Sequence, residues 1–306
     1  MNTEWFLIVN PTSGNGKSKK SWQQISTLLT NHGIRFSFAF TEFSKHESEL
    51  AQHAIKNGFT KIISVGGDGT LHHIVNGIMS QNLVETNTIQ LGVIPIGTGN
   101  DWVKTYNIPA KIEKSILIIK KGKSILQDIG KLTTENNRNT YFNNIAGIGY
   151  DGYVANKLNK LKKYGGIAYL LSGLAGMFFY KPIYFNIEFN NQTIQEKCLM
   201  IIFGICKFSG GGMQFTKDAN PLDGLLDITI AENLTLFDLL LNLPKLYNGK
   251  IVHHKKLTTY KTTSIKITPI SNIEKPFIQA DGELIDSGTV AVSIIKNAIQ
   301  FIVPSL

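Results

Sequence analysis

The sequence has little cysteine, no leader-like start and no apolar run long enough to cross a membrane. Its two cysteines, Cys198 and Cys206, lie among apolar neighbours without metal-site spacing, which favours reduced core residues of an intracellular chain. The N-terminal MNTEWFLIVN lacks a basic segment and a small-residue cleavage site, so it is interpreted as a strand. The uncharged stretch 165–180 is shorter than the roughly 18 residues that a spanning helix needs. We therefore expect a soluble cytoplasmic protein.

Charge is also sparse, at 17% of the residues, although the net charge is +9. The excess is divided about evenly between residues 1–130 and the rest, so no single basic domain exists. No basic motif interleaved with aromatic residues accompanies it, which argues against nucleic acid as a partner. The basic side chains instead form local clusters that are typical of solvated faces, phosphate contacts or anionic membrane surfaces. These clusters are Lys17, Lys19 and Lys20; Lys157, Lys160, Lys162 and Lys163; and His253, His254, Lys255 and Lys256.

The length of 306 residues and the change in pattern near residue 128 predict two domains. Over 1–128, short β-branched runs alternate with helical spacing, which indicates an α/β domain with a parallel sheet. The candidate strands are 6–9, 36–40, 61–65 and 91–94, and helices are expected to start near Ser18, Lys45 and Thr70.

Residues 129–306 contain short apolar runs between turn residues, which predicts a mainly antiparallel, β-sandwich-like domain. The runs lie at 183–189, 199–204, 225–231, 264–268 and 289–295. Two helical segments, 166–180 and 236–247, are expected to interrupt them. The last 15 or so residues are expected to return and pack on the first domain. Exposed strands in the second domain would allow a homodimer.

Three glycine-rich or polar loops follow candidate strands: NPTSGNGK (10–17), GGDGT (66–70) and PIGTGND (95–101). Ligands bind at the carboxyl ends of strands in open α/β sheets, and glycine lets backbone N–H groups approach phosphate oxygens. Neither the P-loop pattern nor the dinucleotide fingerprint is present, so those two mechanisms are excluded. Asp68 would repel a bare phosphate in this cradle, and a Mg²⁺ ion between them removes the conflict. The pattern therefore indicates phosphoryl transfer from a metal-bound nucleotide.

These motifs resemble the lipid kinase family that contains diacylglycerol kinases, their bacterial soluble relatives and sphingosine kinases. The likeness includes Thr41 with His46 after it, VGGDGTLHHIVNG and IPIGTGNDWVK in the first domain. It continues through FNNIAGIGYDGYVA (142–155), GGGMQF (210–215), ANPLDGLLD (219–227) and QADGELI (279–285). The resemblance covers nearly the whole chain.

The resemblance implies a first domain with a fold like those of 6-phosphofructokinases and NAD kinases that binds ATP, and a β-sandwich-like second domain, with lipid phosphorylated in the cleft between them. The implied catalytic residues are Glu283, as proton acceptor from the lipid hydroxyl, and Asp68, which would help to hold Mg²⁺–ATP. A structural Mg²⁺ is implied at Asn220, Asp223 and Leu225. The implied nucleotide-contacting positions are Asn10, Pro11, Thr12, Ser13, Gly14, Thr41, Gly66, Gly67, Asp68, Gly69, Thr70, Thr98, Gly99 and Asn100.

Several residues keep a second interpretation. Glu283 also fits an exposed turn acid, Asp68 fits a cap of the helix that starts near Thr70, and Asp101 fits either a metal contact or a helix cap. Lys17 fits a phosphate contact or a solvated lysine. Asp151 and Asp227 are interpreted as structural.

The chain departs from the family pattern at four positions. Lys104 replaces an arginine, Lys45 and Glu47 replace small residues, and Lys217 stands where proline is common. Each substitution is expected to retune the lipid pocket rather than to remove chemistry.

The predicted function is transfer of the γ-phosphate of Mg²⁺–ATP to a lipid alcohol, diacylglycerol or a related glycerolipid first among them, by an enzyme in peripheral contact with an anionic membrane. Phosphatidylglycerol, sphingoid bases and prenyl alcohols stay open as acceptors. An NAD kinase-like small-molecule kinase and a non-catalytic lipid or nucleotide sensor are the alternative functions.

Overall fold

The computed structural model describes residues 4–158, 176, 179–270 and 275–305. Two compact units divide the chain: Met1–Asp128 with Lys296–Leu306, and Ile129–Ile295. We call them the first and the second unit. Most of the predicted helix at 166–180 lies outside the described residues, as do Lys160, Lys162 and Lys163. Within the described ranges, no helix is both long and apolar enough to cross a bilayer.

The first unit is built on a parallel sheet in the order β2-β1-β3-β4-β16. Its strands are β1 (Trp5–Val9), β2 (Phe36–Phe40), β3 (Lys61–Gly66), β4 (Gln90–Pro95) and the C-terminal part of β16 (Val290–Val303). Its helices are α1 (Ser13–Asn31), α2 (His46–Lys56), α3 (Asp68–Ser80), α4 (Asp101–Thr105) and α5 (Ile112–Lys121). A short 3₁₀ helix covers Thr86–Thr88. The predicted α/β class of this part is confirmed.

The core of the first unit follows from its sequence periodicity. Strands β3 and β4 are buried almost end to end, as expected for parallel strands covered on both faces. In α3 the residues Leu71, Ile74, Val75 and Ile78 share one helical face, and all four are buried. At about 2 kcal/mol for each buried aliphatic side chain, this stripe fixes the helix behind the GGDGT turn.

The second unit contains a six-stranded antiparallel sheet in the order β12-β11-β10-β7-β14-β15. A second group of antiparallel strands runs from the N-terminal part of β16 through β13 and β8 to β9. Strand β5 pairs with β6. With these strands, the second unit is β-rich, as predicted. Its strands are β5 (Lys123–Thr134), which begins in the first unit, β6 (Asn139–Phe142), β7 (Ile145–Gly149), β8 (Ile183–Phe189), β9 (Gln192–Cys198), β10 (Met200–Gly204), β11 (Leu226–Ala231), β12 (Leu257–Thr262), β13 (Ser264–Pro269), β14 (Phe277–Ala280) and β15 (Glu283–Ser287).

The described helices of the second unit are α6 (Tyr150–Leu158), α7 (Leu236–Leu241) and α8 (Leu243–Asn248), with a 3₁₀ helix at Lys250–His253. The helical segment predicted over 236–247 is observed as two helices rather than one. Pro244 lies in the first turn of α8, where its missing N–H costs nothing, and the chain breaks at Asn242 just before it.

Strand β16 also runs further than predicted. It continues from the antiparallel partner β13 into a parallel pairing with β4, where Gln300 lies opposite Gln90. The apolar run at 289–295 is therefore only the first half of one long strand.

Candidate functional site

The loop after β1 is held by hydrogen bonds from the side chain of Asn10. Its amide nitrogen donates to Thr70 Oγ1 at 3.2 Å and to Glu47 Oε1 at 3.0 Å. Its amide oxygen accepts from the backbone N–H and the hydroxyl of Thr12, at 3.1 and 2.8 Å. Ser13 Oγ lies 3.4 Å from Thr70 Oγ1. The first two polar loops therefore meet in one place, at the carboxyl ends of β1 and β3.

The same loop turns through left-handed backbone before its helix becomes regular. Gly14, Asn15 and Gly16 have φ of 61°, 57° and 81°, and the helical conformation begins only after them. Such angles strain most side chains, which explains the SGNG sequence. A β-carbon on Gly14 would also come within 3.2 Å of Ile96 Cγ2 in the third loop.

The second and third loops approach each other at their glycines. A β-carbon on Gly97 would lie 2.8 Å from Gly67 Cα, so position 97 accepts no side chain unless the backbone moves. Ile96 N–H also donates to the Gly66 carbonyl at 2.7 Å. All three loops are thus gathered into one backbone cluster, as the rule for open α/β sheets predicts.

Asp68 connects the second loop to the helix of the third. Its carboxylate accepts the backbone N–H groups of Asp101 at 3.1 Å and Trp102 at 3.3 Å. These are the first residues of α4, so Asp68 caps α4 and lies within the first turn of its own helix, α3. The two hydrogen bonds of the Asp68 carboxylate thus hold the start of α4, and Asp68 is itself the first residue of α3. Asp101, in turn, pairs with Lys104 at 2.7 Å.

The other predicted nucleotide positions differ in exposure. Thr41 is buried at the end of β2, with its N–H bonded to the Val9 carbonyl at 2.9 Å. Thr98 is exposed, and Asn100 has left-handed backbone with its amide donating to the Gly97 carbonyl at 3.1 Å. Partly exposed positions are Pro11, Gly67, Asp68, Gly69 and Gly99, whereas Gly66 and Thr70 are buried. Lys17 is exposed.

One residue that contacts this cluster was not predicted as part of it. Glu47 is only 3% exposed and lies in the first turn of α2, where its carboxylate accepts a hydrogen bond from the Asn10 side-chain amide. The signal in the sequence was the replacement of a small family residue by an acid at a helix start.

Burial, together with His72 and Lys45, lowers the pKa of His73 to about 3, so this half-buried histidine is neutral.

In the second unit, Asp281 and Gly282 form the two-residue turn between β14 and β15. Their φ values of 50° and 83° are those that Asp-Gly hairpin turns require. The Asp281 carboxylate accepts three backbone N–H groups from the chain at 143–145, with N–O distances of 3.2, 3.0 and 3.2 Å. The FNNIAG and QADGE motifs are therefore two sides of one hydrogen-bonded structure.

Glu283 follows this turn as the first residue of β15 and is partly exposed. The turn beneath it is further fixed because Gly282 N–H donates to Gln279 Oε1 at 2.8 Å, and Gln279 Nε2 donates to Asp151. Asp151 therefore contacts the side chain that supports this turn. Glu283 therefore begins its strand directly after a turn that hydrogen bonds of Asp281 and Gln279 hold in place.

The ammonium group of Lys261, a residue of β12, contacts the turn that was predicted to hold Mg²⁺. Lys261 Nζ lies 2.9 Å from Asp227 Oδ2 and 3.2 Å from Asp223 Oδ2. Burial lowers the pKa of Lys261, but hydrogen bonds with Asp227 and Asp223 outweigh it and raise the pKa overall. Among the described residues, no group of three or more histidine, cysteine or acidic side chains is arranged to hold a metal.

Helix α7 presents an apolar face that the described chain leaves exposed. Phe237, Leu240 and Leu241 lie at i, i+3 and i+4 and are 68%, 50% and 65% exposed. Lys245 and Lys250 are exposed nearby in the sequence, and the one acid of α7, Asp238, is paired with Lys256. We call Phe237, Leu240 and Leu241 the α7 patch.

Both halves of the chain match families of known proteins. Residues 4–132 match the diacylglycerol kinase catalytic domain, and residues 144–303 match the YegS C-terminal NAD kinase beta sandwich-like domain. The chain is 31% identical over 279 residues to a diacylglycerol kinase of Staphylococcus haemolyticus (strain JCSC1435), covering 90% of this chain and 81% of that protein. It is 30% identical over the same length to a diacylglycerol kinase of Staphylococcus aureus (strain bovine RF122 / ET3-1), covering 90% and 85%.

Solved structures share the fold. A crystal structure of a diacylglycerol kinase from Bacillus anthracis str. Sterne superposes with a TM-score of 0.74 at 20% identity, covering 98% of this chain and 97% of that one. Another chain from the same organism gives a TM-score of 0.79 at 22% identity, covering 98% and 95%. At these identities the likeness establishes the two-part architecture alone, and it confirms the predicted fold class.

Proposed function

The chain belongs to the diacylglycerol kinase family, and from this premise we propose that it transfers the γ-phosphate of ATP to the hydroxyl of diacylglycerol or a related glycerolipid. The observation that carries the proposal is the gathering of the three polar loops into one cluster through Asn10, Thr70 and Asp68. A transferring phosphoryl group needs positioning and charge stabilisation more than covalent chemistry.

The first unit supplies the nucleotide site of this proposal. The loop at Asn10 to Gly14 and the turn at Gly66 to Thr70 would line the phosphate site, with Thr41, Thr98, Gly99 and Asn100 around the rest of the nucleotide. Asp68 offers carboxylate oxygen, the donor type that Mg²⁺ prefers, in the same cluster, so the residues present fit a metal-bound nucleotide. A Mg²⁺ ion bound with ATP would neutralise charge on the β- and γ-phosphates.

Glu283 is the proposed general base. Proton removal from the lipid hydroxyl needs a carboxylate held in a fixed direction, and the hairpin around Asp281 provides that support. Its partial exposure keeps the carboxylate available to an incoming alcohol.

The acceptor must be reached at a membrane, because its acyl chains keep it there. We propose that the α7 patch makes the peripheral contact. A six-residue helix cannot span a bilayer, but aromatic and leucine side chains on one face insert at the headgroup boundary, and nearby lysines attract anionic lipid. Lys245 and Lys250 match that charge requirement.

A lipid panel assay tests the activity. Purified enzyme with Mg²⁺ and labelled ATP would be offered diacylglycerol, phosphatidylglycerol, a sphingoid base, a prenyl alcohol and NAD, with products identified by mass spectrometry. We expect phosphatidic acid as the main product. Phosphorylation of NAD alone would establish the NAD kinase alternative, and ATP binding without turnover on any acceptor would establish the sensor alternative.

Vesicle sedimentation tests the membrane contact separately. Changing Phe237, Leu240 and Leu241 to serine should lower the bound fraction on phosphatidylglycerol-containing vesicles at least about tenfold, since each exposed large apolar side chain contributes on the order of 1 kcal/mol or more. Leu83→Ser is the matched control, because Leu83 is 58% exposed in the first unit. Equal binding of the two variants would remove the α7 patch from the proposal.

A further inference from the structure

One ammonium group, that of Lys261, binds three positions in the segment 218–227 of the second unit. Besides the carboxylates of Asp227 and Asp223, its Nζ donates to the backbone carbonyl of Asp218 at 3.3 Å. An ammonium group has three N–H donors, so these three acceptors use all of them. Asp227 lies directly opposite Lys261 in the β11–β12 pairing, which fixes the base of the lysine side chain relative to its partners.

The acceptors around Lys261 are the oxygens that a divalent ion would otherwise use. The second carboxylate oxygen of Asp223 accepts the Leu225 N–H at 3.0 Å, and the Asn220 carbonyl accepts the Asp223 N–H at 3.3 Å. Asn220 Oδ1 accepts the Leu222 N–H at 3.2 Å. The turn is therefore closed by its own backbone donors together with the lysine.

A Mg²⁺ ion does not fit beside this lysine. Magnesium needs about six oxygen ligands at about 2.0–2.1 Å, but the implied carboxylate ligand, Asp223, already binds Lys261 through one oxygen and the Leu225 N–H through the other. An ion bound to Asp223 would also lie close to a positive charge that shares the same carboxylate, and the two charges repel. The Mg²⁺ implied by resemblance at Asn220, Asp223 and Leu225 thus disagrees with the contacts of this chain.

We infer that the Lys261 ammonium group is the resident cation of the 218–227 turn, and that the second unit holds this turn without a divalent ion. The carboxylates and the Asp218 carbonyl are bound by a group that the chain itself carries. The metal requirement of the enzyme then comes only from the nucleotide.

Thermal unfolding without nucleotide tests this inference independently of catalysis. The wild-type protein would be melted in EDTA and in millimolar Mg²⁺, and we expect its Tm to differ by less than about 1 °C. Lys261→Met leaves two neighbouring carboxylates without their cation, so its Tm in EDTA should fall by several degrees, and Mg²⁺ should restore part of the loss. Lys266→Met, on the exposed side of the next strand, is the control and should show neither effect.

A Mg²⁺-dependent rise of several degrees in the wild-type Tm that disappears in Asp223→Asn would overturn the inference. The same rise persisting in Asp223→Asn would place the ion elsewhere and support it. If Lys261→Met does not fold, Lys261→Arg keeps the charge and should melt independently of Mg²⁺. If Mg²⁺ raised the Tm of Lys261→Arg and of the wild-type protein by the same amount, that result would count against the inference.

Discussion

The two units each contain an Asp-Gly turn of similar sequence, but the two turns use their aspartates differently. Asp68 accepts two backbone N–H groups from the start of α4, whereas Asp281 accepts three from the chain at 143–145. Asp68 lies in a helix, and Asp281 lies in a hairpin with left-handed backbone. An acid in a glycine turn is thus explained by backbone donors alone, and a role in chemistry needs a separate argument.

The largest expected effect separates Glu283 from its neighbour Asp281. Glu283→Gln keeps the size of the side chain but removes the proposed base, so kcat should fall about 10²- to 10⁴-fold while ATP affinity and Tm stay near wild type. Steady-state kinetics with diacylglycerol and a melting curve provide the measurements. Retention of most of the wild-type kcat would remove Glu283 from the mechanism.

The next effect is on stability. Asp281→Asn replaces an oxygen acceptor by an NH₂ group that faces three N–H donors, so the free energy of unfolding should fall by about 3 kcal/mol. Urea denaturation measures it, and Glu283→Gln two residues away is the control that should not destabilise. An unchanged unfolding midpoint would mean that the three N–H groups find water instead.

A smaller stability effect is expected at Asp68, because its carboxylate accepts two backbone N–H groups where that of Asp281 accepts three. Asp68→Asn should lower the free energy of unfolding by about 1–2 kcal/mol. It should also raise the Mg²⁺ concentration that half-saturates activity. Loss of stability with no change in Mg²⁺ dependence would make Asp68 an anchor of the same kind as Asp281, with no part in holding the metal.

The last expected effect is a pH dependence carried by the first unit. The pKa of His73 is about 3 in the folded protein and its ordinary value is 6.5, so between these pH values the unfolded chain binds a proton that the folded chain does not bind. Stability from this group is fully present above pH 6.5 and is lost as the pH falls toward 3. Melting curves at about pH 7 and about pH 5 should show a smaller acid loss for His73→Gln than for wild type, with His32→Gln as the control. Equal losses for His73→Gln and wild type would contradict the depressed pKa.

Much of this architecture could be predicted because it depends on local sequence patterns. The parallel strands and the α3 stripe followed from periodicity, and the loops at strand ends followed from the topology of open sheets. What could not be predicted depended on contacts between distant residues. The partners of Asp68 are 33 and 34 positions away, and Glu47 meets Asn10 across 37 positions. The lysine in the 218–227 turn comes from β12, which starts at Leu257, well beyond the turn itself.

Strand β16 has a consequence for the order in which the protein is made. The first unit receives its fifth strand from residues that follow the whole of the second unit in sequence. Its Phe301 packs against Trp102 of α4, with ring centroids 4.6 Å apart. A ribosome would therefore complete the second unit while one edge of β4 was still unpaired, and the sheet of the first unit would close only when synthesis reached β16. Expression of residues 1–128 alone would leave that edge open to pairing with other chains.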